Sequence, residues 1–167
     1  MDKIQKEIGS KFGGRLRLRV NGVLVESGKI LMIKHQMSAE RYFWSVPGGG
    51  MKYAANTVDN LKREFIEETG LEISVNDLLC VHEFLDPPMH AVELFFEVER
   101  IGGELWKGID PELDDDRQII SELKFLSLEE LARINKSEKH QLFWELNSFE
   151  QLRKWKGYFK FENNSIK

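Results

Sequence analysis

The chemistry of this chain is concentrated in one run, Gly48 to Leu71, which reads GGGMKYAANTVDNLKREFIEETGL. Arg63, Glu64, Glu67 and Glu68 cluster near its end. On a helix, where each residue turns by about 100°, Glu67 and Glu68 fall within about 60° on either side of Glu64, so three carboxylates share one face. Like charges three and four residues apart cost a helix about 0.2–0.5 kcal/mol per pair. A solvated face tolerates that cost, whereas a face turned into a pocket needs a counter-charge. A divalent cation is the simple source. Oxygen-only ligands select hard ions such as Mg2+ or Mn2+, and magnesium characteristically keeps positions open for substrate phosphates. The order Arg-Glu, apolar, any, Glu-Glu, any, Gly, apolar, behind a triple glycine, is too specific for a merely solvated face.

The elements that must position these residues can be read around them. Asn56 or Thr57 caps a helix over 57–69, and Gly70 sits where a left-handed C-terminal cap belongs. Val58, Leu61 and Phe65 form the stripe that should bury against a sheet. Three adjacent glycines, Gly48 to Gly50, allow a ligand to approach the main chain closely. Upstream, Leu16, Leu18 and Val20 alternate with Arg15, Arg17 and Arg19, the period of a half-buried strand over 15–26. A hairpin turn at Ser27-Gly28 leads into 29–34. Downstream, strands are expected at 78–85, at 92–100 and at 119–126, with Val92, Leu94, Phe96 and Val98 on one face and Glu93, Glu97 and Glu99 mostly opposite. Ser127 and Glu130 form a capping-box pattern that opens another helix. A helix around 138–147 and an aromatic tail complete the reading. Strands mixed with a few helices, without regular alternation, indicate an α+β or mixed α/β sandwich.

The Gly48–Leu71 segment resembles the signature of the Nudix hydrolases, which runs Gly, five residues, Glu, seven residues, then Arg-Glu-aliphatic-any-Glu-Glu-any-Gly-aliphatic. Gly49 matches the opening glycine and Arg63 to Leu71 the closing run, with Trp44 to Gly48 as the lead-in and Phe125 to Leu131 similar to a common later segment. The likeness spans about 15–135, and implies a mixed sheet between helices with the box as loop-helix-loop. It implies Glu64 and Glu68 as main metal ligands, Glu67 as ligand or base, the Gly48 carbonyl in the coordination, and Arg63 fixing the glutamates. Ala55 departs from the pattern, standing where the first box glutamate belongs. That glutamate generally partners the box arginine, so its loss should leave Arg63 less well oriented. Glu112, Asp114, Asp115, Asp116 and Glu122 are candidates for an added acidic ligand, and no spacing selects one.

The implied reaction is metal-dependent attack of water on a nucleoside diphosphate linked to another group, with Mg2+ or Mn2+ as cofactor. The competing reading is a nucleotide-binding module without turnover, favoured by Ala55. Arg15, Arg17 and Arg19 could grip substrate phosphates, since arginine suits bidentate phosphate binding, or could form a charged outer face. Tyr42, Phe43 and Trp44 could stack on a base or simply pack. His35, His82, His90 and His140 show no paired metal-ligand spacing and read as surface or packing residues. Cys80 lies in an apolar strand as inert core.

At 167 residues the chain is expected to form one domain, a core of about 15–135 with 136–167 packed on it. With 24 Lys and Arg against 28 Asp and Glu, the net charge of −4 argues against nucleic-acid binding through bulk charge. One cysteine excludes an intramolecular disulfide. The start, MDKIQKEIGSKFGG, has no apolar segment of signal-peptide length, and no apolar run approaches a membrane span. The default location is the cytoplasm. The expected partner is a small nucleotide substrate, and the aromatic tail offers a surface for a homodimer. Loops at 35–43, 84–91 and 103–117 should set specificity.

Overall fold

A computed structural model describes residues 2–108 and 119–160, with the side chains of 159 and 160 left aside. The strand expected at 15–26 is β1, Arg15–Glu26, and it organises the sheet. Its first ten residues pair parallel with residues 89–98 of β6, Met89–Gly103. Its middle pairs antiparallel with β4, Gly48–Gly50, and its end turns through Ser27-Gly28 into β2, Lys29–Gln36. Ser27 and Gly28 both take positive φ, 49° and 73°, the pattern of a two-residue type I′ turn. β2 lies between β3, Tyr42–Ser45, and β7, Ile120–Ser127, both antiparallel to it. β5, Leu71–Asp86, pairs antiparallel with β6 and carries a short parallel strand, β8, Tyr158–Lys160, on its far side. The sheet is therefore mixed, as expected.

Helix α2, Thr57–Thr69, spans the expected range. Asn56 Oδ1 accepts the Asp59 N–H at 2.8 Å, and Gly70 closes the helix at φ 72°. Leu61 and Phe65 are fully buried against Val20, Leu24, Leu31, Leu71, Ile73 and Val98. Gly22 is obligatory there, because a Cβ would stand 2.4 Å from the Phe65 ring. Val58, expected in this stripe, is exposed, because it sits in the first turn at the outer end of the helix.

A second core fills the opposite face. Val23, Met32, Trp44, Cys80, Phe95, Leu126, Phe143 and Leu152 belong to it, so residues from the last thirty share a core with β1 and β2. Both faces of β1 are thus covered from Val20 to Leu24 but not before Val20, and two expectations are corrected. Leu16 and Leu18 are exposed rather than buried, while Arg17 and Arg19 lie on the face that carries the second core. Glu93, expected on the outer face of β6, is buried beside Phe95.

Further differences concern the ends. Helix α1, Lys3–Phe12, was not anticipated; Asp2 and Gln5 cap it reciprocally, and Asp2 also accepts the Ala39 N–H at 2.7 Å. The helix expected at 138–147 is replaced by short 3-10 turns at Lys136–Glu138, Gln141–Phe143 and Phe149–Lys154. The cause is a strand-like contact: Lys139 bridges to Trp44 of β3, and His140 donates its N–H to the Trp44 carbonyl at 2.9 Å, which holds 139–140 extended. Helix α3, Leu128–Arg133, starts at the expected capping box of Ser127 and Glu130.

Candidate active site

The glycine loop and α2 meet because their backbones leave room for it. Gly48 lies so close to β1 that a Cβ would stand 2.2 Å from the Val20 carbonyl oxygen. At Gly49 a Cβ would fall 2.3 Å from the Glu64 carboxyl carbon, so the bare backbone is the floor on which this carboxylate rests. Glu68 is fixed from the other side: the Gly48 N–H donates to its Oε2 at 2.9 Å. Arg63 then donates 2.6 Å bonds to Glu64 Oε1 and Glu67 Oε2. Glu64 and Glu68 are buried, and Glu67 is partly open. Burial pushes the Glu64 carboxyl above its ordinary range, against the opposing pull of Arg63.

Ala55 leaves Arg63 with more support than the sequence indicated. Asn60 is buried on the same helix, and its Oδ1 accepts from Arg63 Nη2 at 3.1 Å and from the Lys52 N–H at 3.1 Å. Its Nδ2 donates to the Gly50 carbonyl at 3.2 Å. Asn60 thus ties the arginine, the loop and the helix together. Its sequence signal was its spacing, four residues before Glu64 and seven before Glu67, which puts it on the carboxylate face of the helix.

Three carboxylates and the Gly48 carbonyl, with the guanidinium groups of Arg63 and Arg19 close by, make an all-oxygen donor set that keeps an excess negative charge. That is the chemistry a hard divalent cation requires, so the residues fit one. The loop has a second unmet group. Asn21 pairs with Gly48 across β1 and β4, and its Nδ2 is buried with no partner among the described residues. Such a donor costs about 1–3 kcal/mol until something accepts from it.

The three arginines of β1 separate. Arg15 is exposed and donates to the Lys11 carbonyl. Arg17 stacks its guanidinium on Phe12 at 4.2 Å, and a Cβ on Gly50 would lie 3.3 Å from its Nη2. Arg19 reaches the Gly48 carbonyl oxygen at 3.4 Å with Nη2 and faces Glu93 Oε1 at 3.6 Å with Nε. Arg17 and Arg19 therefore border the loop, and Arg15 does not. Glu122 is exposed and pairs with Lys34 at 3.9 Å. Glu112, Asp114, Asp115 and Asp116 lie outside the described residues. Tyr42 and Trp44 lie under the Lys34 ammonium, at 4.4 and 5.7 Å. Cys80 is buried, and its thiol is pushed up to about 12 by burial and by Glu93, an inert state.

Two of the four histidines come together. His82 of β5 and Glu93 of β6 are register partners, and His140 reaches them from the C-terminal segment. His82 Nδ1 and His140 Nε2 meet Glu93 Oε2 at 3.1 and 2.7 Å, all three residues being buried. Burial alone would raise the Glu93 carboxyl, but His140, His82 and Arg19 outweigh it and hold the group well below the usual carboxylate range. The three ligand atoms lie within 4.8 Å of one another, a set a transition metal could use. The hydrogen bonds assign it differently. The Leu142 N–H donates to His140 Nδ1 at 3.3 Å, which places the ring proton on Nε2, aimed at Glu93. A metal would need that nitrogen bare. No spacing in the sequence could find this cluster, because strand register and the docking of 139–140 create it. His90 pairs with Glu83 at 2.9 Å, and half-buried His35 is lowered to about 4 by burial and by the charge of Arg19.

Comparison with known proteins gives a consistent result. The NUDIX domain model matches residues 15–145. An ADP-ribose pyrophosphatase of Methanocaldococcus jannaschii is 34% identical over 93 residues, covering 54% of this chain and 55% of that protein. The chain thus spans about half the length of that curated relative. An ADP-ribose pyrophosphatase structure from Streptococcus suis 89-1591 superposes with TM-score 0.57 at 18% identity, over 86% of this chain and 98% of the other. The MutT NUDIX hydrolase of Burkholderia pseudomallei gives 0.61 at 24%, over 72% and 89%. A UDP-X diphosphatase gives 0.63 at 19%, over 96% and 76%. At these identities the solved structures speak to the fold.

Proposed function

The chain belongs to the NUDIX domain family, and from that premise we propose that it is a divalent-metal-dependent pyrophosphohydrolase acting on a nucleoside diphosphate linked to a further group. The observation that carries this reading is the Arg63–Glu64–Glu67–Glu68 constellation folded onto the bare backbone of Gly48 and Gly49. A pure binding module would be free to lose those carboxylates. Asn60 Oδ1 also accepts a hydrogen bond from Arg63, so Ala55 gives the binding-only reading little weight.

Glu64, Glu67, Glu68 and the Gly48 carbonyl would hold the metal. When bound, the metal supplies charge neutralisation at the phosphate oxygens and a lowered pKa for water. The remaining work belongs to side chains. Arg17 and Arg19 offer guanidinium groups beside the loop for the anionic phosphates. Glu67, the most open of the three carboxylates, takes the proton of the attacking water. A new oxygen–phosphorus bond forms, the bridging bond breaks, and two phosphate monoesters leave. Arg63 keeps Glu64 and Glu67 from turning away. The name of the Methanocaldococcus jannaschii relative puts ADP-ribose first among the substrates to try.

The test is turnover with Mg2+, then Mn2+, across nucleoside diphosphate derivatives, with Glu64→Gln as the control. The variant should keep the wild-type circular dichroism spectrum and lose about two orders of magnitude or more in kcat. Undiminished turnover in that variant would sink the assignment. If no derivative turns over in the wild type and one still raises its Tm, the binding-module reading replaces it.

A further inference from the structure

We propose that Glu93, held by His82 and His140, is a positioning residue for Arg19, so that the C-terminal segment sets the geometry of the phosphate-binding edge. The inference rests on the pyrophosphohydrolase reading above.

The Glu93 carboxylate divides its two oxygens. Oε2 accepts from both imidazoles, at 3.1 and 2.7 Å, and Oε1 faces Arg19 Nε at 3.6 Å. With one oxygen fixed by two rings, the other has no freedom to turn away from Arg19. The rings are themselves fixed. His140 Nδ1 takes the Leu142 N–H, and His82 Nε2 faces the Gln141 side-chain amide at 3.3 Å. Phe95 and Phe143 pack around His140, with ring centroids at 5.2 and 6.1 Å, and keep the cluster dry. In so dry a place the carboxylate cannot find water as an alternative partner, so its attraction for the guanidinium is weakly screened.

Arg19 in turn reaches the Gly48 carbonyl oxygen. The segment at 139–140 also touches the same loop by a second path. Its backbone pairs with Trp44, the first residue of the lead-in Trp44-Ser45-Val46-Pro47-Gly48, and the buried Lys139 ammonium donates to the Leu131 carbonyl at 2.8 Å, fixing the segment to α3. Two connections, one through Glu93 and Arg19 and one through β3, therefore run from His140 to the glycine loop. A group retained only to fill the core would not need a carboxylate there. Replacing a buried ion pair by apolar residues is often neutral or stabilising, so a role in positioning explains the charge better than stability does.

The experiment is a double-mutant cycle. Glu93→Gln and Arg19→Gln are made singly and together, and kcat and KM are measured on whichever derivative the wild type hydrolyses. Glu93→Gln should lower kcat/KM about tenfold in the wild-type background and less than about twofold in the Arg19→Gln background. His140→Gln, which can still donate to Glu93, should stay within about threefold of wild type, while His140→Leu falls with Glu93→Gln. The Arg19 Nε–H signal in a 15N-edited NMR spectrum, which needs no turnover, should be protected from exchange in the wild type and lost in Glu93→Gln. Equal losses in both backgrounds, or an unmoved Arg19 signal, would overturn the proposal. So would a lowered Tm with unchanged kinetics. If His140→Leu fails to fold, Glu93→Gln and the NMR signal still decide. Loss of turnover in Glu64→Gln reports separately on the underlying reaction, so failure of either idea is visible without the other.

Discussion

Gly49 separates stability from function more cleanly than any other residue here. In Gly49→Ala the new methyl would meet the Glu64 carboxyl group, the far end of a flexible side chain, so the carboxylate rather than the backbone gives way. Tm should fall little while turnover drops about tenfold or more, because on the proposed reading Glu64 holds the metal and a ligand displaced by about 1 Å loses its geometry; calorimetry and a turnover assay on one preparation check both halves. Asn60 behaves differently. Asn60→Leu removes bonds to Arg63, Lys52 and Gly50 at once, and should cost about 1–3 kcal/mol of stability as well as turnover. Adding Ala55→Glu should recover part of the turnover in that background and change the wild type by less than about threefold. The box carboxylates and Arg63 were legible in the sequence because they lie on one helix. Asn60 was hidden because an asparagine on a charged helix face looks like ordinary solvated polarity until its partners are known. Glu93 and His140 were illegible for a stronger reason: 47 positions separate them, and only the fold makes them neighbours.

At the scale of elements, local signals were read well. β1, β2, α2 and the start of α3 stand where period, cap and turn residues put them. The reading failed where tertiary pairing overrides local preference. Residues 138–147 have the composition of a helix, yet a backbone pairing to Trp44 keeps 139–140 extended. Leu16 and Leu18 alternate as if buried, yet α2 does not cover them. The capping box of α3 yields a prediction at this scale. Ser127→Ala should destabilise the protein by about 1 kcal/mol at neutral pH, read by urea denaturation. The Glu130 carboxyl is lowered to about 2, first by the Ser127 backbone N–H and then by Lys124. A depressed carboxylate stabilises above its unfolded range and loses that contribution as pH falls toward 2. The difference between wild type and Glu130→Gln should therefore be full at pH 7, shrink from about pH 5 downward, and vanish only as pH falls through about 2 toward 1.

For the whole molecule, the C-terminal segment decides the matter. Phe143 and Leu152 are buried in the core that holds Val23, Met32 and Phe95, so residues beyond 135 contribute side chains to that core. A chain ending at Asn135 should expose that core. It is expected to aggregate or to lose cooperative melting, each losing residue such as Phe143 being worth about 3–5 kcal/mol when removed from a core; size-exclusion chromatography and thermal melting would show it. A soluble, sharply melting truncation would mean that the core closes over the gap.

The parallel pairing of β1 with β6 has a further consequence, in time. The ribosome makes residues 15–24 long before residues 89–98, their partners along that edge. The hydrogen bonds of the box helix are local, but a 13-residue helix is marginal alone and is held by packing Leu61 and Phe65 against the sheet. That surface includes Val98 and waits for β6, and the contacts of His140 come later still. During synthesis the helix and its glutamates are therefore settled only after residues 89–98 are out and the core around Leu61 and Phe65 has closed.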